Sequence, residues 1–223
     1  MSRSALVLGA TGLVGGHCLQ LLLQNEAYEK VTALVRKPFA WSHPKLTCSV
    51  IDFENLEHDA ASIRARDVFC CLGTTIKQAG SQAAFRKVDF EYPARFARLV
   101  AANGAEQFLL VSALGANARA TIFYNRVKGE AENAIAALPF RVVHIMQPSL
   151  LLGERAETRR GEKIGEAVFK ATAPIWVGPL RKYRPIAARA VAGAMIHLAL
   201  QEQQGFFKYE SHLIQEIADR LNL

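Results

Sequence analysis

Between Ser4 and Asn25 the chain has no Asp, Glu, Lys or Arg, yet Gly9, Gly12, Gly15, Gly16, His17 and Gln20 interrupt that stretch and no apolar run in it exceeds four residues. A membrane span needs roughly 18 or more. Neither a span nor a secretion signal is expected there. Cysteine is scarce: there are four, two of them adjacent (Cys70 and Cys71), spaced neither for a metal nor for a disulfide framework. A reduced, cytoplasmic setting is the expectation. His17, His43, His58, His144, His197 and His212 show no metal-ligand spacing, so no metal is expected. Blocks of one charge sign are also missing. Lys and Arg number 27 against 20 Asp and Glu, a net +7, with 16 minus 12 in residues 1–150 and 11 minus 8 in 151–223. No half is a basic tail, and nucleic acid is not an expected partner.

The chain has 223 residues, of which 51% are hydrophobic and 21% charged, a balance that excludes a disordered or collagen-like polymer. Short runs, apolar on consecutive residues, occur at Ala5–Leu8, Val31–Val35, Leu46–Ile51, Val68–Leu72, Phe108–Val111 and Phe140–Met146. They lack the alternation of a half-exposed strand, as expected for parallel strands covered on both faces. Helical periodicity lies between them, with Val14, Cys18, Leu21 and Leu22 on one face and Phe85, Val88, Tyr92, Phe96 and Leu99 on another. The expected class is α/β, a doubly wound parallel sheet with right-handed crossovers. Residues 1–223 read as one domain. From 153 to 223 a small extension on the substrate side is expected, with dense charge from Glu154 to Lys163, prolines at 174, 179 and 185, and helices near 187–201 and 211–221.

The first strand runs into Gly9-Ala10-Thr11-Gly12-Leu13-Val14-Gly15. Gly9 permits a tight turn, Gly12 a close approach of backbone to a pyrophosphate, and Gly15 the packing of the helix on the sheet. The free N–H groups of the helix start then face the phosphates. Strand two ends in Arg36-Lys37, where an NAD-specific protein usually has a carboxylate for the ribose 2'-hydroxyl. An arginine there can fork onto a 2'-phosphate, which makes NADP(H) the expected cofactor; the alternative is a solvated pair at a strand end. Asp52, before Phe53, is either an acceptor for the adenine amino group or a turn former.

Strand five ends in Val111-Ser112-Ala113, and Tyr124-Asn125-Arg126-Val127-Lys128 follows twelve residues after the serine. Tyr124 and Lys128 share a helix face at i, i+4. A neighbouring ammonium stabilises a phenolate by about 1.4 kcal/mol for each tenfold change in acidity, so Tyr124 can move a proton, Lys128 can tune it and Ser112 can orient the substrate oxygen. The plainer alternatives are a Lys128–Glu132 pair at i, i+4, a core tyrosine and a strand-end serine.

Gly9 to Gly15, Cys70-Cys71-Leu72-Gly73-Thr74-Thr75, Val111 to Ala116, Phe123 to Glu130 and Gln147 to Gly153 together resemble the atypical short-chain dehydrogenase/reductases, in particular the Tat-interacting-protein-like subgroup and its bacterial relatives. The resemblance implies an NAD(P)-binding Rossmann fold, bound NADPH and a Ser-Tyr-Lys site, with Leu72, Gly73 and Thr74 lining the cofactor. Two residues depart from it. Asp89 stands where many relatives have the asparagine of a catalytic tetrad, and Gln147 where an arginine often precedes Pro-Ser. The expected activity is NADPH-dependent hydride transfer to or from a carbonyl or alcohol on a small-molecule substrate. Nine Lys or Arg against four Glu between 153 and 189 read as a solvated face or as a site for an acidic or phosphorylated substrate. The competing reading is a dinucleotide-binding regulator of a protein partner. The oligomeric state stays open.

Overall fold

The computed structural model describes residues 3–56, 63–153 and 178–222. Glu154 to Lys163, Pro174 and His58 lie outside the described residues. In chain order the elements are β1 (Arg3–Leu8), α1 (Leu13–Gln24), β2 (Tyr28–Val35), β3 (Leu46–Val50), β4 (Asp67–Cys70), α2 (Ile76–Ala79), α3 (Gln82–Arg86), a π-helical turn (Lys87–Glu91), α4 (Tyr92–Ala102), β5 (Gln107–Val111), α5 (Phe123–Ala136) and β6 (Val142–Gln147). The described part after β6 contributes β7 (Leu151–Leu152), a 3-10 turn (Gly178–Tyr183), β8 (Ile186–Ala187), α6 (Ala188–Leu200), β9 (Gly205–Glu210) and α7 (Ser211–Arg220).

Seven strands form one parallel sheet in the order β3-β2-β1-β4-β5-β6-β9. Period-two alternation divides the core between the two faces of this sheet. Ala5 and Val7 of β1, Phe69 of β4, Leu109 and Val111 of β5 and Met146 of β6 face the layer of α1, α6 and α7. Their neighbours Leu6, Leu8, Val68, Cys70, Phe108, Leu110, Val143 and Ile145 face α4 and α5, where Phe96, Ala97, Val100 and Ile135 are buried. This two-sided burial is the doubly wound fold that consecutive apolar residues predict. Cys70 and Cys71 take opposite faces, as a strand requires.

The sequence reading assigns no strand to residues 202–210, yet β9 pairs with β6 from Val142↔Gly205 to Gln147↔Glu210 and forms an edge of the main sheet. Its burial is only partial, with Gly205, Phe206 and Lys208 exposed, so it lacks the continuous apolar signature of the inner strands. The helix expected across Phe85 to Leu99 is broken by the π-helical turn, which buries Asp89. At the strand ends away from the glycine turn, Asp67 accepts from Arg3 (3.1 Å), Tyr28 Oη (2.9 Å) and Gln107 Nε2 (3.0 Å). Arg3 and Gln107 also donate to Ala199 O near the end of α6. That network closes the end of four strands with a helix terminus, opposite the end that carries the glycine turn.

Candidate active site

Strand order reverses between β1 and β4, so the segments leaving their carboxyl ends diverge and open a crevice. Gly9 leaves β1 with φ +74°, and a Cβ there would lie 2.6 Å from Cys71 O. A Cβ on Gly15 would lie 2.0 Å from Gly9 O. Only glycine fits at either place. Gly12 N donates to Gly9 O (2.8 Å), and Gly16 N is the amide that reaches back to Gly12 O (2.8 Å). The N–H groups of Leu13, Val14 and Gly15 therefore have no partner within the helix. Gly12 caps α1 with no side chain, and no acidic residue stands in its first turn, so the positive end of the helix is uncompensated. A pyrophosphate fits this cradle: backbone approach is free of side chains and the donors point outward. Thr11 is exposed beside it, Leu13 half-buried and Val14 buried against the sheet.

Arg36 and Lys37 are exposed directly after β2, where an adenine ribose would meet the sheet edge. The exposed Asp52 carboxylate forms a turn, accepting from Glu54 N (2.9 Å) and Asn55 Nδ2 (2.7 Å). These bonds hold its carboxyl below the usual range. Phe53 is buried, its ring 5.2 Å from that of Tyr92.

Lys128 projects from α5 beneath the loop that follows β4. Its Nζ lies 2.7 Å from Asp89 Oδ1, and Asp89 Oδ2 accepts from Thr74 N (3.0 Å). Both side chains are buried. Burial alone would lower the Lys128 ammonium, but its neighbours, the Asp89 carboxylate foremost, together outweigh that and hold it above its ordinary value. Burial raises the Asp89 carboxyl, with Lys128 opposing. The Lys128–Glu132 pair offered as the plainer alternative is replaced by this bridge. Leu72, half-buried, and Gly73, exposed, run over it.

Tyr124, one turn before Lys128, packs its ring 5.2 Å from Phe85. It lines a cavity of about 490 Å³ with Ala113, Asn125, Ser149, Lys182, Tyr183 and others. Ser112 is not among the residues lining it. Its hydroxyl donates to Glu132 Oε1 (2.5 Å), which also accepts from Gln147 Nε2 (2.8 Å), while Lys208 Nζ lies 2.7 Å from Oε2. The cause is alternation: Val111 faces the α1 layer, so the next side chain faces α5. The structure thus brings Tyr124 and Lys128 together at the glycine crevice and turns the expected serine into a buried carboxylate. Sequence reasoning missed the Glu132 hub, although a signal existed. Lys128 and Glu132 share the buried face of α5 with Val127, Ala131 and Ile135, and charged residues on an apolar face require partners. Asn125 also went unnoticed.

A parallel sheet with a glycine cradle at the point of strand reversal defines a dinucleotide-binding Rossmann protein. The chain belongs to the NAD(P)H-binding family, whose profile matches residues 9–163. It is 34% identical over 179 residues to Protein HTATIP2 of Rattus norvegicus, covering 78% of this chain and 74% of the rat protein. With Protein FMP52-1, mitochondrial, of Scheffersomyces stipitis it shares 40% over 162 residues, 71% of each chain. Among solved structures, the Bordetella bronchiseptica enzyme WbmH in complex with NAD+ superposes with a TM-score of 0.70 at 14% identity, covering 98% of this chain and 80% of that one. UDP-glucose 4-epimerase of Thermotoga maritima with UDP-glucose gives 0.66 at 14%, covering 97% and 82%. These neighbours share the fold. The expected cytoplasmic location is overturned: the FMP52 relatives from several yeasts are named mitochondrial. Among the described residues no helix is long and apolar enough to cross a membrane.

Proposed function

We propose that the protein is an NADP(H)-dependent oxidoreductase acting on a carbonyl or alcohol. The observation that carries this reading is the placement of Tyr124 on the wall of a cavity, one helical turn from a buried Lys128, at the carboxyl end of the sheet beside the glycine cradle. Gly9, Gly12 and Gly15 and the free N–H groups of α1 would hold the pyrophosphate, Arg36 and Lys37 the 2'-phosphate, Asp52 and Phe53 the adenine side, and Leu72, Gly73 and Thr74 the nicotinamide end. When bound, the dinucleotide supplies or accepts hydride. Tyr124 Oη gives the proton to the substrate oxygen in reduction and takes it in oxidation. Lys128 Nζ holds its charge behind the phenol. Because its hydrogen is given to Glu132, Ser112 serves this site by fixing the end of β5. Of the extension expected on the substrate side, Lys182, Tyr183 and Glu210 line the cavity, and Lys182 favours a substrate with an anionic group.

A second reading, a dinucleotide-binding regulator of a protein partner, is favoured by one observation: Asp89 cancels the charge of Lys128. Absorbance of NADPH, followed with a panel of aldehydes, ketones and quinones, separates the two. Under the enzyme reading, turnover is found and Tyr124→Phe reduces it at least about a hundredfold, within the range of general acid catalysis, while NADPH affinity stays within about twofold. Turnover that survives in Tyr124→Phe, or no turnover together with a partner that discriminates NADPH from NADP+, overturns it.

A further inference from the structure

We propose that Asp89 is a positioning residue that sets how evenly this site holds the oxidised and reduced forms of its dinucleotide, by cancelling the charge of Lys128 at the nicotinamide end of the crevice. The inference rests on the reading of residues 72–74 and Lys128 as that end; it does not need turnover.

Asp89 reaches the site because the π-helical turn at Lys87–Glu91 adds a residue to the helical path and turns this side chain inward. Its two oxygens do different work. Oδ1 meets Lys128 Nζ at 2.7 Å and Oδ2 accepts from Thr74 N at 3.0 Å, so one carboxylate joins the ammonium to the loop expected over the cofactor. The pair lies directly against that loop: a Cβ on Gly73 would sit 3.5 Å from Asp89 Oδ1 and 3.6 Å from Lys128 Nζ. The other titratable groups acting on the pair among the described residues are Cys70 on β4 and Tyr124 on α5. Burial pushes the Cys70 thiol up to about 12, so it contributes no charge. Two opposite unit charges are left, both shielded from salt by burial.

A nicotinamide ring is cationic when oxidised and neutral when reduced. An unpaired ammonium beneath Gly73 repels the oxidised ring and leaves the reduced one untouched. With Asp89 in place the local charge sums to zero, and the repulsion is removed. An asparagine at 89 keeps the size and an oxygen for Thr74 N but turns its amide nitrogen toward Lys128 Nζ and deletes the counter-charge. The charge effect is therefore read from the ratio of the two dinucleotide forms and not from the affinity of either.

The test is calorimetric titration of NADP+ and NADPH, and of NAD+ and NADH, into wild type, Asp89→Asn, Lys128→Met and the double variant. The ratio of oxidised to reduced dissociation constants is expected to rise about tenfold in Asp89→Asn, equivalent to about 1.4 kcal/mol, and to fall in Lys128→Met. The double variant returns close to the wild-type ratio. A purely structural role for Asp89 weakens both forms alike and leaves the ratio unchanged. A wild-type ratio in folded Asp89→Asn, or a ratio in Lys128→Met that does not fall, overturns the proposal. Should Asp89→Asn unfold, the sign of the Lys128→Met change decides alone. Failure of every carbonyl to turn over removes the oxidoreductase reading but leaves these ratios intact.

Discussion

Ser112 and Ala113 are neighbours at the end of β5, and one faces a buried glutamate while the other lines the cavity. A strand's alternation made that choice, so residue type alone is a poor guide to role where two small residues adjoin. Arg36 is the contrasting case, because its role depends on position and charge more than on an inward geometry. It is exposed at the end of β2 with Lys37 beside it. A charge-assisted contact to a 2'-phosphate contributes ~1.5 to 3 kcal/mol, which is about ten- to a hundredfold in affinity. NADPH is therefore expected to bind at least about tenfold more tightly than NADH. Arg36→Ala should remove most of that preference by weakening NADPH alone. Calorimetric titration of both dinucleotides checks this; equal weakening of both, or equal affinities in the wild type, would assign Arg36 to a solvated surface.

At the scale of elements, α5 carries both the proposed proton-transfer pair and the anchoring. Tyr124 and Lys128 occupy its first half, and Glu132 binds Ser112 after β5, Gln147 on β6 and Lys208 on β9. Removing the carboxylate strands the hydroxyl and the amide in a buried place, whereas Lys208, with its side chain 40% exposed, can turn to water. Glu132→Ala is thus expected to destabilise the protein by about 2 to 4 kcal/mol, chiefly through those two unsatisfied groups. Lys208→Ala should cost less. Urea unfolding at neutral pH measures both, and a larger loss for Lys208→Ala would mean that the ion pair, more than the buried hydrogen bonds, holds the hub together.

For the whole molecule, stability should depend on pH through His144. The imidazole is fully buried on β6, its ring 5.7 Å from Phe207 and its Nδ1 3.3 Å from Tyr209 Oη. Burial, and secondarily the Arg141 guanidinium, push it down to about 4. Above its ordinary value of about 6.5 the ring is neutral in both states and has no effect. Between about 6.5 and 4 the unfolded chain takes up a proton that the folded one refuses, so stability falls as pH falls, by about 3 kcal/mol over the window. Asp67 and Asp89 act in the opposite sense, because burial raises both carboxyls and the folded state takes their protons first. The difference between wild type and His144→Phe isolates the histidine. Urea midpoints at pH 7.5 and 5 should diverge in wild type more than in the variant, and parallel behaviour would place the acid sensitivity elsewhere.

Parallel strands covered on both sides, the glycine spacing that shapes a phosphate cradle, and the i, i+4 placement of Tyr124 and Lys128 were legible from the chain alone, because each depends on local periodicity or on backbone sterics. Six of the seven strands announced themselves by short, mainly apolar runs, including the edge strand β3, which the structure leaves largely exposed on both faces. What the tertiary structure decided depends on which groups distant segments bring together. β9 forms at an edge with mixed polarity and exists because β6 offers it hydrogen-bonding groups. Asp89 meets Lys128 across 39 positions of sequence only because a π-helical turn rotates it inward. Ser112 gives its hydrogen to Glu132 because one face of β5 looks onto α5. Periodicity shows which side of an element is buried; the electrostatic character of a site depends on the partner it meets there, and that partner is chosen by packing.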